Sequence, residues 1–190
     1  MMSQIGGERS IKMKKVTHMV FLFFLLWGIV YTLNQEYARI VADDSTNDEE
    51  LAKVNFLRPS FSLTGLDGKE YSTDDVTKPL VINFWASWCG PCKLEAPELV
   101  KLHKKYNKDI QIYAVNLTAS DSIEGAKKFA ENYGFEFPVL LDTDNLVSDK
   151  YNITAIPTTY FVNEEGVIVD QILGYGGKNV FEEKFKNLLN

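Results

Sequence analysis

The sequence predicts an α/β fold in which a central mixed β-sheet is flanked by helices and preceded by an N-terminal β-hairpin. Three observations carry this. Leu80–Trp85 and Ile110–Asn116 are short, mostly apolar runs, as strands covered on both faces must be. Longer stretches with helical spacing of apolar residues alternate with them. Near the end, two strand-like runs flank Asn163-Glu164-Glu165-Gly166, a hairpin that makes the sheet mixed rather than all parallel. The 190 residues, 24% of them charged, suit one globular domain with appendages. A net charge of −6, with no basic stripe carrying interleaved aromatics, argues against a nucleic-acid partner. Nothing in the chain demands more than a monomer.

The first element is an apolar run, residues 16–33, with no acidic residue, Lys or Arg, preceded by Arg9, Lys12, Lys14 and Lys15. It is just long enough to cross a hydrocarbon core of roughly 30 Å as a helix. The basic flank places residues 1–15 in the cytoplasm and everything after Leu33 outside, at the cell membrane. Trp27 and Tyr31 fall near its outer end, where amphipathic rings favour the interface. Cleavage after Ala42 would put Ile40 where a small residue is required, so the run is expected to stay as a single-pass signal-anchor. Met13-Lys14-Lys15 would itself be a good start for such an anchor. Residues 34–57 are mixed and acidic, with Asp43, Asp44, Asp48, Glu49 and Glu50, and read as a linker lifting the domain off the membrane.

The domain is expected over residues 58–190. Phe61–Thr64 and Lys69–Tyr71 alternate on either side of an Asp67-Gly68 turn, a hairpin signal. After the Leu80–Trp85 strand, a helix is expected from Pro91 to Tyr106, then the Ile110–Asn116 strand. Ser122 to Tyr133 reads as a helix stopped by Gly134. A short strand at Val139–Leu141 and a short helix from Leu146 to Tyr151 follow. Strands at Thr158–Val162 and Val167–Ile172 form the terminal hairpin, and Asn179 to Leu189 is a closing helix.

The only two cysteines, Cys89 and Cys92, sit in Trp88-Cys89-Gly90-Pro91-Cys92. A structural zinc site needs four Cys or His ligands, and beyond these two sulfurs the chain offers only His18, inside the apolar run, and His103. Two sulfurs without a nearby His make an equally weak copper site. A permanent staple fits no better, because closing so small a ring removes little entropy from the unfolded chain. Switching between dithiol and disulfide fits well, and needs no other cofactor. Cys89 follows a strand where a helix begins, with Pro91 tolerated in the first turn. Free N–H groups and the helix dipole there favour a thiolate and make Cys89 the attacking sulfur. Cys92, three residues on and on the same side, can resolve a mixed disulfide formed at Cys89.

These residues resemble the thioredoxin family, over roughly residues 59–190. Trp88-Cys89-Gly90-Pro91-Cys92 between strand and helix is the family's first signature. Ile156-Pro157-Thr158 matches the second, a cis-proline loop facing the cysteines. The resemblance implies that Ile156, ahead of Pro157, offers its backbone to the incoming substrate, that Trp88 borders the binding surface, and that Gly174 corresponds to a glycine of the substrate groove.

Departures from plain thioredoxin narrow the resemblance. Asn83 stands where plain thioredoxins carry a buried aspartate that takes the proton of the deeper cysteine, and an amide cannot titrate. Glu95 is the candidate replacement. It shares a helix face with Cys92, Leu99, Leu102 and Tyr106 while Lys93, Lys101, Lys104, Lys105 and Lys108 populate another, so burial should raise its pKa into the range useful for proton exchange with Cys92. The plainer alternative is a carboxylate paired with those lysines. Pro97 should bend the helix beside it. The interval from Cys92 to Pro157 also exceeds that of plain thioredoxin by a helix and a strand. Anchor, hairpin, insert, Asn83 and Glu95 together resemble the TlpA/ResA family, membrane-tethered extracytoplasmic thiol-disulfide oxidoreductases linked to cytochrome c maturation or spore-envelope synthesis. The resemblance implies a reductase of disulfides in exported proteins, apocytochrome c among them, re-reduced by a CcdA-type membrane electron donor. Gly90 departs from the acidic residue that cytochrome-maturation members often carry between the cysteines, which leaves general thiol reduction open. Two other readings stand beside this one: a DsbA-like thiol oxidase, and a non-catalytic module that holds a partner through the cis-proline groove.

Overall fold

The computed structural model describes residues 25–33, 35 and 52–189. Within the domain the order is β1 (Ser62–Thr64), β2 (Glu70–Ser72), β3 (Leu80–Trp85), α1 (Gly90–Tyr106), β4 (Gln111–Asn116), a 3₁₀ turn (Thr118–Ser120), α2 (Ile123–Tyr133), β5 (Val139–Leu141), α3 (Leu146–Lys150), β6 (Thr158–Val162), β7 (Ile168–Leu173) and α4 (Lys178–Asn187). The five-stranded sheet runs β5-β4-β3-β6-β7. β3 pairs parallel with β4 and antiparallel with β6, so the sheet is mixed, as expected.

The central strand explains why the cysteines sit where they do. Every residue of β3 is buried, and its alternating side chains feed two cores. Val81 and Trp85 join α1, α2 and α4 on one face through Leu99, Phe129 and Phe181. Ile82 and Phe84 join Tyr151, Tyr160 and Val147 on the other. β3 thus ends inside the domain, and the chain turns directly into the N-terminus of α1. That helix buries Cys92, Glu95, Ala96, Leu99 and Leu102, while the five lysines expected on another face are exposed. It continues without a break through Pro97.

Capping fixes the insert. The Ser122 hydroxyl accepts the Gly125 N–H at the start of α2, and Gly134 ends the helix with φ +71°. At the start of α3, the buried Asp142 carboxylate accepts the Val147 and Ser148 N–H groups at 3.3 and 2.8 Å.

Most element ends fall within a residue or two of expectation, and two of the differences have a visible cause. The return strand of the last hairpin starts at Ile168 rather than Val167, because Val167 closes the turn: its N–H donates to Asn163 Oδ1 at 2.8 Å and its carbonyl accepts the Asn163 N–H at 2.9 Å. Residues 52–57, expected in the linker, lie against the domain. Ala52 N–H donates to Lys150 O, Asn55 N–H to Ile168 O, and Phe56 O accepts from Ile168 N–H. The domain therefore begins ahead of residue 58, secured by backbone hydrogen bonds.

Of the expected membrane run, residues 25–33 are helical with exposed apolar side chains, and residues 16–24 lie outside the described residues. Among the described residues no helix is long and apolar enough to cross a membrane. The cytoplasmic tail 1–15 and most of the linker also lie outside them.

Candidate active site

Cys89 caps α1. Its backbone is extended, at φ −72° and ψ 116°, and the Cys92 N–H donates to its Sγ at 3.2 Å. A helix begins with N–H groups that have no intrahelical acceptor, and here one of them is spent on sulfur, a donor suited to a Cys89 thiolate. Cys89 and Cys92 are joined as a disulfide with Cα atoms 5.3 Å apart. Both residues are buried, 4% and 3% exposed, whereas Trp88 beside them is 58% exposed. The Trp88 indole N–H donates to Ser120 O at 3.0 Å.

Two distant segments complete the surface around the pair. The Ile156–Pro157 peptide is cis, and the Ile156 carbonyl oxygen lies 3.7 Å from Cys89 Sγ. The Gly174 N–H donates to Pro157 O at 2.7 Å, at φ +74°, a conformation glycine adopts without strain. The fold thus brings Cys89, Ile156, Pro157 and Gly174 to one place, with Trp88 on its rim.

Below the disulfide, one turn further along α1, Glu95 is 1% exposed. Its partners are not the lysines of its own helix. Glu95 Oε1 accepts from the Asn83 amide in a short hydrogen bond and from the Thr159 hydroxyl at 3.2 Å. The same Asn83 amide nitrogen is 2.9 Å from Thr159 Oγ1. Asn83 and Thr159 are direct cross-strand partners on β3 and β6, so their side chains stand together on the sheet face that α1 covers. Glu95 Oε2 is buried without a hydrogen-bond partner. Burial pushes the Glu95 carboxyl up to about 8, against the opposing pull of the Thr159 and Asn83 hydrogen bonds. At neutral pH the group is therefore mostly protonated, with Oε2 the oxygen free to carry the proton.

Asn83 and Thr159 are the residues that sequence reasoning undervalued. Asn83 does not titrate, but it orients the group that does. Thr159 was readable only as the second residue of a strand after a cis-proline; its role follows from a pairing register that local sequence does not encode.

Comparison with known proteins agrees with this geometry. A family profile described as the AhpC/TSA family matches residues 56–171. The chain is 40% identical over 128 residues to the thioredoxin-like protein YneN of Bacillus subtilis, covering 66% of this chain and 75% of that one. It is 29% identical over 180 residues to the thiol-disulfide oxidoreductase ResA of Bacillus thuringiensis, covering 93% and 98% of the two chains. Among solved structures, a thiol:disulfide interchange protein of the thioredoxin family from Chlorobium tepidum aligns with a TM-score of 0.65 at 26% identity, over 73% of this chain and 99% of that one. With its two cysteines bonded at the head of α1 and a matching profile over more than half its length, the chain belongs to the AhpC/TSA family as a thioredoxin-like thiol-disulfide oxidoreductase.

Proposed function

We propose that this oxidoreductase runs as a reductase of disulfides in exported proteins, tethered to the outer face of the cell membrane by residues 16–33. The observation that carries the reading is the Cys89–Cys92 pair set over a buried, protonatable Glu95. The direction draws support from Gly90-Pro91 between the cysteines, the dipeptide of the reducing thioredoxins, and from the similarity to ResA.

The Cys89 thiolate attacks one sulfur of a substrate disulfide. That S–S bond breaks, the departing substrate sulfur leaves as thiolate and takes a proton from water, and a mixed disulfide remains on Cys89. In the molecules whose Glu95 is ionised, a minority at neutral pH, Cys92 then passes its thiol proton to Glu95 and attacks Cys89 Sγ, which expels the second substrate thiolate. Two electrons have moved to the substrate, and the protein is left as the disulfide with the proton on Glu95. Re-reduction by an external dithiol, such as a CcdA-type membrane conduit, returns two electrons to the pair and the proton to Cys92. Apocytochrome c and proteins of a spore envelope are candidate substrates of this class. The pair is the whole redox equipment that the chemistry requires, and one chain suffices for it.

The test is the reduction potential of the Cys89–Cys92 couple, measured on the full chain in mild detergent by equilibration with glutathione or a reference thioredoxin. A value near or below about −270 mV makes the protein a reductant, and a value near about −120 mV makes it a source of disulfides and overturns the reading.

A further inference from the structure

The loop that carries Cys89 is held from outside the motif. Between the end of β3 at Trp85 and the cap of α1 at Cys89 there are only three residues, Ala86, Ser87 and Trp88. Ser87 is gripped twice by one carboxylate: its N–H donates to Asp121 Oδ2 and its hydroxyl to Asp121 Oδ1, each at 2.6 Å. Asp121 is anchored in turn. The buried Asn116, the last residue of β4, donates from Nδ2 to Asp121 Oδ2 at 2.9 Å, and the Asn116 Oδ1 accepts the Thr118 hydroxyl at 2.9 Å. One residue before Asp121, the Ser120 carbonyl receives the Trp88 indole N–H. Burial works to raise the Asp121 pKa, but the donors from Asn116 and Ser87 outweigh it and hold the carboxyl below its ordinary value, so the group is ionised at neutral pH.

The neighbouring helix is shaped around this grip. A Cβ at Gly125 in the first turn of α2 would lie 2.7 Å from Ser87 Oγ, closer than real Cβ contacts come, and 3.0 Å from Asp121 Oδ1, tighter than most of them. Glycine at 125 lets the start of α2 approach the Ser87–Asp121 pair, so the insert packs directly onto the cysteine loop.

We propose that Asp121 is a positioning residue for disulfide exchange: tied to the end of β4 by Asn116, its carboxylate holds Ser87 by both N–H and hydroxyl and so fixes the loop that presents Trp88 and Cys89. The proposal needs only thiol-disulfide exchange and not its direction, so it stands or falls separately from the reductase reading. What the grip protects is the alignment of Cys89 Sγ with the Cys92 N–H, on which both the thiolate and its angle of attack depend.

The experiment follows a single step, the attack of reduced full-length protein on 5,5′-dithiobis(2-nitrobenzoate) in mild detergent, as a function of pH. D121A removes the grip; the expected result is an attack rate lower by about tenfold, within the range that misplacement of a reacting group produces, and a pH midpoint for Cys89 moved upward. D121N is the rescue. Its carbonyl can accept the Ser87 N–H and Asn116 amide, and its amide can donate to a turned Ser87 hydroxyl, so it should restore the rate to within about threefold with no upward shift of the midpoint. A D121A protein that keeps the parent rate and midpoint overturns the proposal. So does a D121N protein that falls as far as D121A, since the charge and not the grip would then be what matters. If D121A does not fold, S87A decides: it deletes the hydroxyl alone, and a fall of about threefold supports the proposal whereas an unchanged rate and midpoint refutes it.

Discussion

Glu95→Gln separates the buried carboxyl from everything else in the site. Gln matches the shape of a protonated Glu: its carbonyl can accept from Asn83 and Thr159 while its amide occupies the place of the unpartnered Oε2. In the oxidised protein the Glu95 pKa is about 8, against an ordinary value of 4.5. A raised native pKa means that the folded state holds its proton while the unfolded state releases it. The favourable contribution is thus complete below pH 4.5, erodes as pH rises, and is gone above about pH 8. Over roughly 3.5 pH units, at about 1.4 kcal/mol each, the erosion amounts to about 5 kcal/mol.

The assay is urea unfolding of the oxidised full chain in mild detergent at several pH values, followed by the fluorescence of Trp85, which is buried against Phe129. The wild-type and E95Q proteins should be about equally stable near pH 5 and diverge steadily to pH 8, with E95Q the more stable. Other titrating groups act on both proteins and cancel in the difference. Parallel curves from pH 5 to 8, or an E95Q protein less stable at pH 8, would refute the assignment of a buried, protonated Glu95.

Other perturbations bear on separate parts of the site. Cys89→Ser should abolish disulfide reduction, and Cys92→Ser should leave the protein trapped as a covalent mixed disulfide, visible as a shifted band on a non-reducing gel; equal turnover in either variant would return the binding-module reading. Asn83→Asp replaces a donor to Glu95 with a second carboxyl, and two such groups in contact cannot both ionise cheaply. Its melting temperature should therefore fall further below wild type at pH 8 than at pH 6. Gly174→Ala meets open space but must keep φ +74°, so it should lower stability by about 1 kcal/mol through backbone strain alone, read as a small shift in the urea midpoint.

The two halves of the site differ in how far the sequence reveals them. Cys89, Gly90, Pro91, Cys92 and Glu95 lie within one helix and its cap, so spacing alone orders them, and the helix period puts Glu95 under Cys92. Ile156, Pro157 and Gly174 were legible only as a resemblance, because nothing local says that the loop before β6 will reach α1. Asn83 and Thr159 are 76 residues apart; their meeting depends on the β3–β6 register, which the pattern of apolar residues permits but does not dictate. Residues 52–57 were hidden for another reason. Their hold on the domain runs through backbone groups, while Val54, Phe56 and Leu57 remain exposed, so their side chains carry no period to read. Asp121 carries no signal in its local sequence, because its partners come from the end of β4 and the loop before α1.

The same burial that makes Glu95 a burden on stability makes it competent as a base. An ordinary thiol has a pKa near 8.5, so passing its proton to a carboxylate at 4.5 would be uphill by about 5 kcal/mol, enough to slow resolution by some four powers of ten. With Glu95 at about 8, the transfer to the ionised carboxyl is uphill by less than about 1 kcal/mol and nearly freely reversible, and the ionised fraction that can take the proton grows as pH rises towards 8. Cys89 draws its reactivity from a different source, the N–H groups at the head of α1, which act over one turn and do not reach Glu95. The two sulfurs are thus tuned by separable means, one by hydrogen bonding at a helix terminus and the other by a desolvated carboxyl. Exposing Glu95 without removing it, as by shortening a neighbouring core side chain such as Leu99 enough to admit water, should therefore stabilise the charged form, flatten the dependence of stability on pH and slow the Cys92 step, while leaving the first attack by Cys89 unchanged.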